Sequence, residues 1–226
     1  MTEASFGLRG TFAVLDLPAW TLAMARGGSP ATRPLLALAA GSDESLVARA
    51  AGGDRQAFDD LYRRYVDMVW TRLGRLLGPD PEREDLLQQI FLELFRALPR
   101  FRGDASFRTF LYRIVLNTAS DHLKRRRRHP RPIPDEELEQ LVSADLSPEA
   151  RAVERQRLAA TFALLDRIKP KKRIAFLLRV VDGLSLEEIS ELTNSNPAAV
   201  AQRVRHANRE LTALARRLAA QQKDRP

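Results

Sequence analysis

The stretch 183–218 constrains this chain more than any other, because it predicts two helices separated by a very short turn. Ser185 and Glu188 form the S-x-x-E pattern of a capping box, which starts a helix. Asn194 stands where a chain leaving a helix often needs a positive φ, and asparagine tolerates that conformation. Asn196 can cap a second helix that begins with a proline. The stretch therefore predicts a helix-turn-helix.

The second of these helices has two different faces when it is wound at about 100° per residue. One face is an apolar stripe of Val200, Val204, Ala207, Leu211 and Leu214. The opposite face carries Ala198, Gln202, Arg205, His206 and Arg209. A helix that enters a major groove needs an apolar back and donors in front, where Arg205 can pair with guanine or phosphate and Gln202 with adenine. A surface helix with a solvated basic face has the same pattern, and the rest of the chain favours DNA binding.

The amino-acid composition limits which partners the chain can bind and which kinds of site it can form. The 226 residues carry a net charge of +8, which favours an anionic partner, nucleic acid first. Cysteine is absent, so disulfides and thiolate zinc sites are excluded, and a cytoplasmic location is expected. The histidines lack metal-ligand spacing, so we expect neither a metal nor a cofactor. No apolar run approaches the ~18 residues of a membrane span, so no membrane insertion is expected.

Helical periodicity recurs along the chain and no strand alternation is found, so the predicted fold is all-α. We expect two helical domains joined by a flexible linker, with the helix-turn-helix in the C-terminal one. The linker prediction rests on a segment rich in proline and carboxylates. The predicted divisions are a disordered N-terminal extension at 1–41, a first domain at 42–129, the linker at 130–147, a second domain at 148–220 and a tail at 221–226.

Charge in the first domain is arranged in blocks. The helix predicted at 82–98 is acidic, whereas the segment 100–131 is basic and contains only Asp104 and Asp121 as acids. One surface should therefore repel DNA while another attracts it. The run 124–128 predicts phosphate contacts with a steep salt dependence, although a solvated helix end would have the same composition. On the helix predicted at 106–127, Arg113, Asn117, Asp121 and Lys124 form a polar stripe opposite the packed side, which includes His122.

Aromatic side chains lie among the arginines of this basic segment. Rings interleaved with cations suit unpaired bases, because every base offers a face on which to stack. Aromatics at helical spacing are more often core residues, and we expect this of Phe107 and Phe110. Phe101 falls in a predicted loop and is the better candidate for a base contact.

Three co-linear motifs together resemble the extracytoplasmic-function (ECF) sigma factors of bacteria. They are DLLQQIFLELFRALPRF, FRGDASFRTFLYRIVLNTASDHLKRRRR and DGLSLEEISELT. The resemblance covers roughly residues 43–218 and implies a first domain like sigma-2 and a second like sigma-4. It implies binding of core RNA polymerase through its clamp helices and flap, and of promoter DNA in both duplex and single-stranded form. An anti-sigma factor is a further expected partner.

The resemblance also implies roles for individual residues. Those that would dock on the clamp helices are Asp85, Gln88, Gln89 and Leu92. Those that would contact the −10 element and its backbone are Phe101, Arg113, Asn117, Asp121, Lys124, Arg125, Arg126 and Arg127, with flipped-out bases at Phe101 and Asn117. Those that would contact the −35 element are Ala198, Gln202, Arg203, Arg205, His206 and Arg209. The chain departs from the family at Ala201-Gln202, where many relatives have Arg or Lys followed by Ser.

The sequence is also compatible with two other classes of protein. A dimeric helix-turn-helix regulator could act without polymerase, although it would leave the acidic helix of the first domain unexplained. A DNA-processing enzyme would need a nucleophile or a carboxylate–metal cluster, and Asp104 and Asp121 are thin support for one. We predict a transcription initiation factor that is not itself an enzyme.

Overall fold

The computed structural model describes residues 42–129, 135–139, 142 and 145–223, and all regular structure within these ranges is helical. The helices are α1 (Asp43–Ala51), α2 (Arg55–Leu77), α3 (Arg83–Ala97), α4 (Phe107–Arg128), α5 (Asp135–Glu139), α6 (Pro148–Arg167), α7 (Pro170–Val180), α8 (Leu186–Thr193) and α9 (Pro197–Lys223), with a short 3-10 helix at Leu98–Arg100. The all-α prediction is confirmed. The predicted extension at 1–41 lies outside the described residues, and the last helix continues into the predicted tail.

The chain divides into two compact units, which within the described residues are 42–122 and 123–223. The division falls inside α4, and the domain boundaries predicted from composition remain predictions. Each unit has its own buried residues.

Local capping signals set the first helices of unit 42–122. The hydroxyl of Ser42 accepts a hydrogen bond from the N–H of Ser45 at the start of α1. The carboxylate of Asp54 accepts one from the N–H of Ala57 at 3.1 Å and so starts α2. That N–H and the side chain of Arg49 lower the pKa of Asp54 below its usual value. Each of these contacts joins residues three positions apart, so the local sequence alone fixes where α1 and α2 begin.

The core of this unit is formed by one stripe each of α2, α3 and α4. Its fully buried members include Leu61, Val69, Leu73, Ile90, Leu94, Leu111, Val115 and Ala119. One aromatic of α2 and one of α3 lie at its margin, since Tyr62 is 39% and Phe95 49% exposed. Phe95 packs edge-on against Phe58, with ring centroids 5.1 Å apart. The stripe of α3 is therefore wider than the core it covers.

A buried ionisable pair ties α4 to the loop that precedes α3. The Nε2 atom of His122 lies 2.7 Å from a carboxylate oxygen of Asp80, and both residues are 3% exposed. The other carboxylate oxygen of Asp80 accepts a hydrogen bond from the N–H of Glu82 at 3.0 Å. His122 is thus a core histidine, as its place on the packed side of α4 predicts, and Asp80 is buried with it.

Tyr65 joins α2 to the start of α1. Its hydroxyl donates to the carboxylate of Asp43, which also pairs with Arg64 at 2.6 Å. Burial raises the pKa of the Tyr65 hydroxyl well above its usual range, and the hydrogen bond to Asp43 raises it further.

Tyr65→Phe should lower the free energy of unfolding by about 1 kcal/mol, because it removes one hydrogen bond to a carboxylate that is still partly in water. Urea unfolding of the full chain measures this. Tyr62→Phe is the matched control, because Tyr62 lies on the same helix with a more exposed side chain. Equal stability of the two variants would contradict the prediction.

The core of unit 123–223 is formed mainly by α6, α7 and α9. Its central members include Leu158, Phe162, Leu165, Phe176, Leu177, Ala207 and Leu211. Leu138 and Val142, from the segment predicted to be a flexible linker, are buried in the same cluster. Glu139 pairs with Arg155 at 3.1 Å. Composition did not predict this docking, because two apolar residues four positions apart are hidden among prolines and carboxylates. The rest of the linker lies largely outside the described residues.

Candidate DNA and protein interfaces

The helix-turn-helix is built as its local signals predict. The N–H of Glu188 donates to the hydroxyl of Ser185 at 3.1 Å, and the N–H of Ser185 donates to the carboxylate of Glu188 at 2.7 Å, which completes the capping box. Asn194 ends α8 in the left-handed conformation, with φ 46° and ψ 52°. The side chain of Asn196 accepts from the N–H of Ala199 at 2.7 Å and so starts α9.

The two faces of α9 are also as predicted. Val200, Val204, Ala207 and Leu211 are buried, and Leu214 is half-buried. On the opposite face Ala198, Gln202, Arg205 and Arg209 are exposed, and His206 is half-buried. Ile189 of α8 is fully buried, so the apolar side of each helix is covered. The exposed face presents amide and guanidinium donors at the end of α9 that follows the turn.

Arg203 differs from the other residues predicted to contact the −35 element. Its side chain is half-buried, and its Nη1 donates to the hydroxyl of Ser195 at 2.8 Å. The helical count that places Gln202 and Arg205 outward puts Arg203 on the flank of the helix. The structure therefore separates Arg203 from the outward face.

The polar stripe of α4 is on the surface. Asn117, Asp121, Lys124, Arg125 and Arg127 are exposed, and Arg113 is half-buried. Asn117 is followed by Thr118, a buried residue whose hydroxyl donates to the carboxylate of Glu93 at 3.2 Å. In the basic run, Arg126 is the half-buried member and pairs with the carboxylate of Asp166. Sequence alone does not distinguish Arg126 from its neighbours.

The loop aromatic predicted to contact a base is part of a small aromatic cluster. The ring of Phe101 lies 4.8 Å from that of Phe110 and 6.3 Å from that of Phe107. Phe107 is buried, as predicted, and Phe110 is half-buried. Phe101 is half-buried as well, so its neighbours fix its position while part of the ring faces solvent.

A second surface, which we call the α3 face, consists of Asp85, Gln88, Gln89, Leu92 and Phe95. The first three are exposed, and Leu92 is 55% exposed. Phe95, which is 49% exposed, completes this face. Exposed apolar side chains bordered by polar ones are typical of protein interfaces.

None of the helices within the described residues is both long and apolar enough to cross a membrane.

Comparison with known proteins finds matches to one family in both the N-terminal and the C-terminal part of the chain. Residues 61–129 match the family model for Sigma-70 region 2, and residues 159–211 match that for Sigma-70, region 4. The chain is 34% identical over 170 residues to the RNA polymerase sigma-H factor of Pseudomonas aeruginosa, an alignment that covers 72% of this chain and 88% of that protein. It is 31% identical over 173 residues to the ECF RNA polymerase sigma-E factor of Escherichia coli K12, with the same coverage.

Among solved structures, the chain is similar to CnrH in complex with the cytosolic domain of CnrY. The TM-score is 0.52 at 26% sequence identity, and the match covers 76% of this chain and 96% of that one.

Proposed function

We infer that this chain, which belongs to the extracytoplasmic-function (ECF) sigma factor family of bacterial RNA polymerase, binds the core enzyme and directs it to promoters. The observation that carries this conclusion is the presence, in one chain, of a region 2 match and a region 4 match whose candidate DNA faces are both on the surface. The two faces have different chemistry, which suits two different forms of DNA.

The duplex contact is assigned to α9. Its exposed Gln202, Arg205 and Arg209 would face the major groove of the −35 element, with Ala198 and half-buried His206 beside them. Amide and guanidinium groups are the donors that read base edges in that groove. The apolar back of the helix leaves these donors free of any role in packing.

The single-strand contact is assigned to α4 and the loop before it. Exposed Asn117 and the partly exposed ring of Phe101 would hold bases of the −10 element outside the stack. Arg113, Asp121, Lys124, Arg125 and Arg127 would border the bases and backbone. Holding a base out of the helix offsets an unpairing cost of a few kcal/mol and needs no bond chemistry from this chain. We therefore propose that the chain is not an enzyme and that the polymerase supplies the catalysis.

The α3 face is assigned to polymerase. Leu92 and Phe95 supply exposed apolar area, and Asp85, Gln88 and Gln89 supply polar contacts around it. Its acidic residue would also keep this side away from DNA phosphates. We propose that it docks on the clamp helices and that the second unit docks on the flap.

An anti-sigma factor is the further partner that we propose, together with a cytoplasmic location. The support is the similarity to CnrH, whose structure was determined in complex with the cytosolic domain of CnrY.

The test of the proposed function is run-off transcription with core RNA polymerase and a library of promoter fragments. We expect transcripts whose starts share upstream −35 and −10 sequences, and no specific footprint without core enzyme. A palindromic footprint by the chain alone would favour the dimeric regulator, which the sigma factor matches do not support.

Asn117→Ala should slow promoter opening about tenfold, because a buried polar contact to a captured base is worth about 1–1.5 kcal/mol. Binding to a closed duplex should change little. Permanganate reactivity of unpaired thymines in the complex with core polymerase measures opening.

A promoter with a pre-melted −10 segment should restore the activity of Asn117→Ala. Gln156→Ala, at an exposed polar position of α6, is the control for removal of a surface amide. Failure of the pre-melted template to restore activity would assign Asn117 to the fold or to the polymerase contact.

A further inference from the structure

Arg203 lies on the side of α9 that turns towards α8. At about 100° per residue, it is about 40° from Ala207 and about 160° from Arg205 around the helix axis. Ala207 is fully buried, and Arg205 is exposed. The intermediate exposure of Arg203 agrees with this place on the flank. A guanidinium there is aimed along the protein surface instead of outward.

The guanidinium of Arg203 is the start of a hydrogen-bond chain that crosses the turn. It donates to the hydroxyl of Ser195 at 2.8 Å, and that hydroxyl donates to the carbonyl of Thr193 at 3.1 Å. Thr193 is the last residue of α8, where carbonyls have no partner within the helix. A cation near a helix C-terminus is also favoured by the helix dipole. Arg203 therefore links α9 to the end of α8 through a single side chain.

Ser195 is held by its backbone as well. Its N–H donates to the carbonyl of Ser190 at 3.1 Å, and its own carbonyl accepts from the hydroxyl of Ser190. Asn194, just before it, is in the left-handed conformation. With its N–H, carbonyl and hydroxyl all engaged, Ser195 is a fixed point to which Arg203 is attached.

We propose that Arg203 is a positioning residue, which through Ser195 fixes the angle at which α9 meets the −35 duplex and does not itself contact promoter DNA. This inference rests on the proposed function and removes Arg203 from the set of contacting residues. Recognition side chains must be held within a fraction of an ångström of their productive geometry, and a brace on the turn supplies this. Ser195, which the sequence analysis did not select, becomes part of the recognition unit.

The test compares Ser195→Ala, Arg203→Met and the double variant in the full chain with core polymerase. The probe is a duplex fragment that carries a −35 element and ends before the −10 element. Each single variant should bind about three- to tenfold more weakly, and the double variant no more weakly than the worse single one, because both remove the same contact. The slope of log affinity against log salt should stay unchanged in all three.

A phosphate contact by Arg203 would give the opposite pattern. Arg203→Met would then reduce the salt slope by about 1, and Ser195→Ala would bind as the wild type does. Arg217→Met, at an exposed arginine further along α9, is the control for loss of one positive charge. The phosphate pattern would overturn the proposal.

Hydrogen exchange in the free, full-length chain gives a readout that needs no DNA. Either single variant should increase exchange of the backbone amide of residue 195 several-fold, because the turn loses its brace. An unchanged exchange rate of this amide in both variants would contradict the proposal that Arg203 holds the turn through Ser195. A wild-type complex that binds no −35 fragment would instead refute the proposed function, so the two failures are distinguishable.

Discussion

Asp85→Arg should reduce the affinity of the chain for core RNA polymerase by about ten- to hundredfold. Asp85 is exposed in the first turn of α3 and lies on the same face as the exposed Leu92, two turns further along the helix. A reversed charge at a complementary interface loses an attraction and adds a repulsion, which together cost up to several kcal/mol. Each 1.4 kcal/mol corresponds to about a tenfold change in affinity. The affinity is measured by titrating labelled chain with core enzyme in the absence of DNA.

Glu44→Arg is the matched control for this charge reversal. Glu44 is likewise an exposed carboxylate in the first turn of a helix, so both variants lose the same favourable interaction with a helix N-terminus. Thermal unfolding of both variants should therefore agree closely. If Asp85→Arg binds core enzyme as tightly as Glu44→Arg does, the α3 face is not part of the interface.

The α3 face also shows that helical periodicity does not predict how far each apolar side chain is exposed. The spacing of α3 correctly predicts a helix and its buried Ile90 and Leu94, because those residues recur at one side of the helix. It does not reveal that Phe95 stays half in solvent. That outcome depends on the packing of α2, whose Phe58 contacts Phe95 with the rings nearly perpendicular and leaves Phe95 49% exposed. Only the folded structure shows that the apolar stripe of α3 is wider than the surface of α2 that packs against it.

Helix ends, by contrast, were predictable because their causes are local. Asp54 starts α2 and Ser185 starts α8 through bonds to the residues three positions later. Asn194 takes the positive φ expected of it. Such signals need no knowledge of the tertiary fold, and they account for the agreement on the helix-turn-helix.

The sequence does not predict which charged side chains pair with each other, because several of the partners lie far apart along the chain. Arg173 is 1% exposed and pairs with Asp166, and Arg126 pairs with the same carboxylate across 40 positions of sequence. Asp80 is buried against His122, 42 positions away. A run of basic or acidic residues in the sequence shows the net charge of a segment. It does not show which of these residues is buried in an ion pair. The assignment of Arg126 to phosphate contact remains a prediction.

Arg205→Ala should weaken binding of the complex with core polymerase to its best −35 sequence by about ten- to hundredfold. Arg205 is exposed on the outward face of α9, where a guanidinium can donate two hydrogen bonds to one guanine edge. Loss of a bidentate base contact is worth about 1–3 kcal/mol and relaxes specificity at one position. Competition among duplexes that each differ at one −35 base measures both quantities.

The pattern across those duplexes decides the role of Arg205. A base contact predicts that the preference at one position disappears while preferences elsewhere persist. A phosphate contact predicts an equal loss on every sequence and a salt slope smaller by about 1. Arg216→Ala is the control, because Arg216 is exposed on the same side of α9, about three turns further along. If Arg216→Ala loses affinity as strongly as Arg205→Ala does, the affinity depends on the positive charge of α9 and not on a base contact by Arg205.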